Sequence, residues 1–332
     1  MSALTLSLLR ILSDGAFHSG EALAQHFGLS RTRIWQALQT VEELGVRVFK
    51  VKGRGYQLAD PIEWLAIPCI LPYLGDAAPT ITFTLLDSVD STNTLLMQAL
   101  AQRDVHAHCV AAEIQTKGRG RRGRQWHGAL GGSLMFSLAW RFNLGVAQLS
   151  GLSLTVGLAL ARALQELTVP NVQLKWPNDL MQGFRKLGGV LIEIQGDALG
   201  PSSAVIGVGI NVRLPEGVKD RIDQAVVDLQ GITITPPSRN QLLGVVLRHL
   251  AQLLDQFSHS GFEAIRAEWE GLHAHQHKHV TLRLPDGAQI SGVALGVTAD
   301  GALILDTAHG ERRFGSGEIS LRPTTGLSQA TP

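Results

Sequence analysis

What most constrains this chain is that its hydrophobic period changes twice along its length. Through about residue 60 the period is helical: Leu4, Leu8 and Ile11 fall at i, i+4 and i+7, Leu23 and Phe27 repeat the four-residue interval, and Ile34, Leu38 and Val41 make a third stripe. Ser19 and Ser30 are placed to cap the second and third helices, and Gly28 supplies the corner between them. Val46, Val48 and Val51 then flank a Lys52-Gly53-Arg54-Gly55 turn that returns to Tyr56 and Leu58, which predicts a hairpin. Pro61, Pro68 and Pro72 mark a linker over 61–79.

From about residue 80 strands alternate with helices. Ile81, Phe83 and Leu85 alternate, Val110 to Ile114 is an apolar run, and Leu134, Phe136, Leu138 and Trp140 alternate again. Leu149, Leu152, Val156, Leu160, Ala163, Leu164 and Leu167 keep a 3.6-residue stripe; strands are predicted near 172–174, 189–194 and 204–212, and helices over 242–257 and 262–269 close the unit at about 272. The hairpins in its middle argue for a mixed α/β core rather than a doubly wound sheet. After Val280, short β runs separated by Pro285-Asp286-Gly287, Asp300-Gly301 and His309-Gly310 predict a small β-barrel over 273–322. The fold class is α+β.

Composition narrows the function classes. With 332 residues, 45% hydrophobic, 17% charged and a net charge of +1, the chain can bury a large core and is not globally disordered. Cys69 and Cys109 lie far apart, which excludes a disulfide framework and a cysteine zinc site and fits a reducing compartment. No secretory signal pattern opens the chain, so it reads as cytoplasmic. From Phe142 to Ala161 no residue is charged, but Asn143, Gln148, Ser150, Ser153 and Thr155 interrupt the stretch, and it is expected to be a buried helix rather than a membrane span.

Positive charge is concentrated at the front. Residues 31–55 carry Arg31, Arg33, Arg47, Lys50, Lys52 and Arg54 against Glu42 and Glu43. A helix set by a tight turn, starting at Ser30, can offer Arg31, Thr32, Arg33 and Gln36 to base edges and phosphates, while the hairpin tip holds Lys52 and Arg54 against the backbone. That is a winged helix-turn-helix over 1–60; the plainer alternative is a three-helix interaction module with a solvated basic face.

Five further elements carry chemistry. Gly118-Arg119-Gly120-Arg121-Arg122-Gly123-Arg124-Gln125-Trp126 lets backbone approach a ligand and, with Lys117, brings five cations and no acid, enough to neutralise a polyphosphate or an acyl phosphate. It lacks the GK[ST] of a Walker loop, and an RNA-binding Arg/Gly run is its plain reading. Lys175-Trp176-Pro177-Asn178-Asp179 follows a strand and supplies a cation and a carboxylate able to hold Mg²⁺ or orient an amine; otherwise it is a capped turn. In Lys186-Leu187-Gly188-Gly189-Val190-Leu191-Ile192-Glu193 a lysine precedes bare backbone at a strand start. Gly207-Val208-Gly209-Ile210-Asn211 clears one strand face beside an amide, and Asp90-Ser91-Thr92-Asn93 is a polar strand-to-helix corner or simply a cap. His273, His275, His277 and His279 alternate as if on one strand face; no carboxylate or cysteine joins them, and a polar linker is the preferred reading over a metal site. Trp64, Trp140 and Trp269 are expected to be packing residues.

In this order and spacing the five elements, GRGRRGRQW, KWPND, KLGGVLIE, GVGIN and DSTN, make the chain resemble the biotin protein ligases of the bifunctional repressor type, over nearly its whole length. The resemblance implies a ligase core over 80–272 and an SH3-like domain behind it. It implies that biotin and MgATP give biotinyl-5′-AMP and pyrophosphate, and that the adenylate then acylates a lysine of the biotin carboxyl carrier protein of acetyl-CoA carboxylase. It also implies that the adenylate is a corepressor that promotes a homodimer on the operator of the biotin biosynthesis genes. By matching positions, Ser91, Thr92, Asn93, Gln115, Gly118, Arg119 and Gly188 would face biotin. Arg121 and Lys186 would serve its carboxylate and the phosphate. Arg124, Trp126, Asn178 and Asn211 would meet the nucleotide, and Lys175 and Asp179 would serve the metal, the phosphate or the acceptor lysine. Some repressor-type relatives carry a tryptophan over the adenine where this chain runs Asp223-Gln224-Ala225-Val226.

Overall fold

The structure, a computed structural model, describes residues 2–284, 287–315 and 320–323. The N-terminal unit forms as its period predicts. Helices α1 (Ala3–Leu12), α2 (Gly20–Phe27) and α3 (Arg31–Gln39) are capped by the side chains of Ser2, Ser19 and Ser30. Gly28 takes the left-handed conformation (φ 63°) that ends α2. Val41 is buried just beyond α3 rather than within it. Strands β1 (Val48–Val51) and β2 (Gly55–Leu58) pair antiparallel as the wing.

The stretch read as a linker is packed. Its apolar residues between the prolines fold into a short helix α4 (Ile67–Ile70) and 3-10 turns, and Leu65, Ile70, Leu74 and Ala77 join the main hydrophobic core. The Trp64 indole donates to the Ser13 hydroxyl at 2.8 Å, while Ile114 and Leu130 of the central domain pack into the N-terminal cluster. The front unit is therefore seated on the rest of the chain.

The central domain is a seven-stranded mixed sheet in the order β3-β4-β5-β9-β8-β7-β6, with β3 (Thr82–Val89), β4 (His108–Gln115), β5 (Ser133–Phe142), β6 (Val172–Lys175), β7 (Asp179–Gln182), β8 (Arg185–Gly196) and β9 (Ser202–Asn211). Only β3 and β4 run parallel, joined through α5 (Thr92–Leu100). Strand β7 has only four residues, too few for a period to show, and it turns the expected KWPND corner into a β6-β7 hairpin. Helices α6 (Leu152–Glu166) and α8 (Arg239–Ser260) pack together in the core, a short α7 (Glu216–Lys219) lies between them in sequence, and α9 (Arg266–Leu272) follows.

By length and composition the helical stretch Val146–Glu166 could cross a membrane, but α6 is buried along most of its length, as expected of a core helix. Trp140 and Trp269 are buried, as predicted for packing residues.

The last five strands, β10 (His279–Arg283), β11 (Gln289–Val297), β12 (Leu303–Thr307), β13 (Gly310–Phe314) and β14 (Ser320–Pro323), form an antiparallel sheet in the order β13-β12-β11-β10-β14, the SH3-like part. The Pro285-Asp286 half of one expected turn lies outside the described residues. This domain is hydrogen-bonded to the core at several points, two of them beside the β6 strand. Ala274 donates its backbone N–H to Leu174 of β6 (2.8 Å), and the fully buried Trp176 donates its indole N–H to the Gly301 carbonyl (3.0 Å).

Candidate functional site

One cavity of about 750 Å³ gathers the five sequence elements on one side of the central sheet. At its β4 end Ser91 caps α5, and Thr92 donates its backbone N–H to the Gln115 amide oxygen (2.8 Å) while its hydroxyl meets that of Ser137 (2.6 Å). Asn93 is buried, accepts from Ser137 (2.5 Å) and donates to Glu193 (2.8 Å). The corner is thus both a cap and a wall of polar groups. A Cβ at Gly207 would fall 2.2 Å from the Asn93 amide oxygen, so the space that glycine clears is taken first by this side chain.

The Arg/Gly loop folds over the opening as a small hairpin. Gly120 donates to the Arg124 carbonyl (2.7 Å) and Trp126 to that of Gly118 (2.9 Å). Arg119 is paired with Glu193 at 2.6 Å, and Arg121 donates to the Asn178 side-chain oxygen at 3.0 Å. Burial pulls the Arg121 pKa below its ordinary value, with Asp179 opposing and Arg122 and Arg124 adding to the fall. Trp126 lies against Gly209, where a Cβ would come within 2.5 Å of its ring, and its indole N–H is buried without a partner.

On the floor, β6 and β7 place Lys175 opposite Asp179, and Asp179 pairs with Lys186 of β8 at 2.7 Å, both side chains about 15% exposed. Asn178 is held by its donation to the Val190 carbonyl (2.8 Å). Asn211 donates to the Val227 carbonyl (3.1 Å) and leaves its own side-chain oxygen buried and unpartnered. The 223–226 segment is drawn against β8 by Lys186 N–H to the Ala225 carbonyl (2.9 Å), and Asp223, Gln224, Ala225 and Val226 all line the cavity where the resemblance places an adenine lid.

Ser91, Thr92, Asn93, Gln115, Arg119, Arg121, Arg124, Trp126, Lys175, Asn178, Asp179, Lys186 and Asn211 line this cavity; Gly118 and Gly188 do not. Gly118 closes the loop hairpin against Trp126, and Gly188 is pressed between strands, where a Cβ would meet the Gly209 carbonyl at 2.7 Å; the bare backbone that faces the cavity is Gly189. Sequence reasoning gave Glu193 no role, although Gly189, Leu191 and Glu193 share a strand face at period two.

The histidine run is also arranged differently. Only His279 lies in β10. His277 has φ 57°, and His273 and His275 are buried before the strand begins, His273 stacked on Trp269 at 4.8 Å. Desolvation pushes both buried histidines down to about 4. Among the described residues no group of three or more His, Cys, Asp or Glu is placed to hold a metal ion.

On the N-terminal unit, Arg31, Thr32, Arg33 and Gln36 are exposed on α3, and Lys52 and Arg54 are exposed at the wing. Ser30 is used as the cap of α3.

A charged cavity on a mixed sheet, joined to a basic helix-turn-helix unit, marks a ligase-type domain carrying a DNA-binding module. A model described as the Biotin/lipoate A/B protein ligase family matches residues 85–211, an HTH domain model matches 5–57, and a Biotin protein ligase C terminal domain model matches 278–322. The chain belongs to the biotin protein ligase family, as a homologue of its bifunctional ligase/repressors. It is 36% identical to the bifunctional ligase/repressor BirA of Escherichia coli K12 over 96% of this chain and 97% of that protein. It is 31% identical to the biotin–[acetyl-CoA-carboxylase] ligase of Mycobacterium tuberculosis over 65% of this chain and 80% of that one. A solved biotin protein ligase from Aquifex aeolicus, in complex with biotin and ATP, superposes with a TM-score of 0.62 at 31% identity, covering 73% of this chain and 99% of that structure.

Proposed function

We propose that this chain activates biotin with MgATP to biotinyl-5′-AMP, transfers biotin to a lysine of the biotin carboxyl carrier protein of acetyl-CoA carboxylase, and binds the operator of the biotin biosynthesis genes as an adenylate-promoted dimer in the cytoplasm. The observation that carries the reading is the pairing, in one cavity, of a cation cluster (Arg121, Lys186, Lys175) with two buried unpartnered groups of opposite polarity, the Asn211 side-chain oxygen and the Trp126 indole N–H. An acyl adenylate presents both a phosphate and a purine edge that donates and accepts hydrogen bonds.

The polar wall of Ser91, Thr92, Asn93, Gln115 and Arg119 suits the ureido ring or the carboxylate of biotin. For the carboxylate to attack the α-phosphorus, two anions must be brought together, which requires neutralising charge rather than a protein nucleophile. Arg121 and Lys186 supply that charge, with Asn178 fixing the Arg121 fork and Asp179 fixing the Lys186 ammonium. Asn211, Arg124 and Trp126 hold the adenosine half, under a lid formed by 223–226. Mg²⁺ enters with the triphosphate as part of the substrate. Asp179 is the candidate carboxylate for it, since Mg²⁺ commonly takes one or two carboxylates beside substrate phosphates and waters. On the front unit, Arg31, Thr32, Arg33 and Gln36 read the major groove and Lys52 and Arg54 hold phosphates.

Purified protein given biotin, ATP and Mg²⁺ is expected to release pyrophosphate and to label a carrier domain. Lipoate and octanoate are expected not to substitute. Failure to adenylate biotin overturns the ligase reading, and use of lipoate in its place redirects it to the other branch of the family.

A further inference from the structure

His275 is the one residue of the small C-terminal domain's approach segment that reaches the cavity wall, and neither the five elements nor the roles above account for it. It is 2% exposed, and both of its ring nitrogens are buried without a hydrogen-bond partner. Two unsatisfied polar atoms on one ring are costly, and each such group in a native fold calls for an explanation, a catalytic or ligand-binding role among them.

The sheet order sets where His275 stands among the other cavity residues. Strand β4 carries Gln115 at one end of the cavity, β7 and β8 carry Asp179 and Lys186 towards the other, and the edge strand β6 carries Lys175. The segment 273–275 is paired to this edge through the Leu174–His273 bridge and the bond from Ala274 to Leu174. His275 thus sits at the far side of the Asp179–Lys186 pair from the polar wall of α5.

We infer that His275, beside Lys175, positions the β,γ-phosphates of ATP and the pyrophosphate that leaves from them. This rests on the ligase reading. In the adenylation step a carboxylate oxygen of biotin bonds to the α-phosphorus while the bond from that phosphorus to the α,β-bridging oxygen breaks, and the bridging oxygen departs with the electron pair as pyrophosphate. The attacking and leaving oxygens stand roughly in line. Attack from the α5 and β4 side therefore sends the leaving group towards β6.

The chemistry of the ring agrees. Desolvation, with Lys175 and Lys278 adding, holds its pKa at about 4, so near neutral pH it offers one N–H donor and one lone pair. Both nitrogens are shut off from the cavity as they stand, so the ring must turn for its N–H to meet a phosphate oxygen next to the Lys175 ammonium. A base for the acceptor lysine is the competing role, but a group at about 4 lies roughly six units below a lysine ammonium and cannot take its proton. The charged groups around it are Lys175 on β6, Lys278 on its own segment, and Asp179 and Lys186 across the cavity, with the neutral His273 two residues before it.

The test is His275→Phe, which keeps a ring and removes both nitrogens, compared with the unsubstituted chain. The KM for ATP and the inhibition constant for inorganic pyrophosphate should each rise about ten-fold, the loss expected for one hydrogen bond to a charged group. The KM for biotin should stay put. Transfer from preformed biotinyl-5′-AMP, in which no pyrophosphate takes part, should keep its rate. His275→Asn, with its own donor and acceptor, should recover most of the pyrophosphate inhibition. An unchanged pyrophosphate constant overturns the assignment, as does a biotin KM that rises in parallel, which marks a packing role, or a slowed transfer step, which marks the acceptor side. If the unsubstituted chain forms no adenylate, the ligase reading fails instead, and calorimetric binding of pyrophosphate to the two proteins still decides the role of His275.

Discussion

The Arg239 guanidinium meets the Glu113 carboxylate at 2.7 Å with both side chains no more than 3% exposed. Glu113 also accepts from the Leu65 backbone (2.7 Å), and Arg239 donates to the Glu63 carbonyl, so the pair clamps the segment that leaves the N-terminal unit. Removing one partner leaves a buried charge uncompensated, which costs about 3–5 kcal/mol. Arg239→Ala should therefore lower stability by that order in urea unfolding, while Arg239→Met combined with Glu113→Leu should lose much less. A double-variant loss equal to the sum of the Arg239→Met and Glu113→Leu losses taken singly would show that the pair does not couple.

Arg121 is expected to matter more for keeping the adenylate than for binding biotin. Arg121→Gly should speed release of biotinyl-5′-AMP and cut carrier labelling by roughly 10²-fold, the scale for one preorganised charge-stabilising donor. A rapid-dilution assay of adenylate retention checks this. Unchanged retention would remove Arg121 from the nucleotide half of the cavity.

Gly209→Ala tests the nucleotide side by sterics alone. The added methyl would sit 2.5 Å from the Trp126 ring, a separation that real Cβ atoms do not occupy, so the indole must move. ATP affinity should drop about ten-fold or more and tryptophan emission should shift, with DNA binding unaffected. Wild-type affinity would mean that Trp126 plays no part in holding the nucleotide.

On DNA, Arg31→Ala together with Arg33→Ala should weaken operator binding and leave ligation intact. The slope of log affinity against log salt should become shallower by about one for each phosphate that is no longer neutralised. Gel shifts at several salt concentrations read both quantities. No change in either would place the DNA surface elsewhere.

Acid should destabilise the protein through His273. Its folded pKa of about 4 lies below the ordinary value of 6.5, so between those two values the unfolded chain binds the extra proton. The stability it contributes is complete above pH 6.5 and is lost as pH falls towards 4, by up to about 3 kcal/mol for a shift of this size. Denaturant unfolding at pH 7 and pH 5 should show the loss, and His273→Gln should flatten it. A variant with the same pH slope as the parent would refute the assignment.

The legible parts of this fold are those written locally. Ser19, Gly28 and Ser30 mark their helix ends within three residues of sequence, and the wing announces itself through Lys52-Gly53-Arg54-Gly55. The cavity lining was legible where a motif carries its own chemistry, as with Arg121, Asp179 and Lys186. What escaped depends on distant pairing. Glu193 becomes the partner of Arg119 only because β8 lies under the loop, β7 exists only as the return arm of β6, and the alternation of His273 and His275 imitates a strand while their burial comes from contact with β6 and Trp269. A glycine's purpose was equally hidden: Gly207 and Gly209 make way for Asn93 and Trp126, side chains more than 80 residues away.

The bond from the Trp176 indole to the Gly301 carbonyl turns the tail into a buttress. Trp176 begins the bend on which Asn178 and Asp179 are hung, so a chain cut short before residue 301 would loosen the floor of the cavity. Truncation there should be felt first in turnover, with the front half still able to grip its operator.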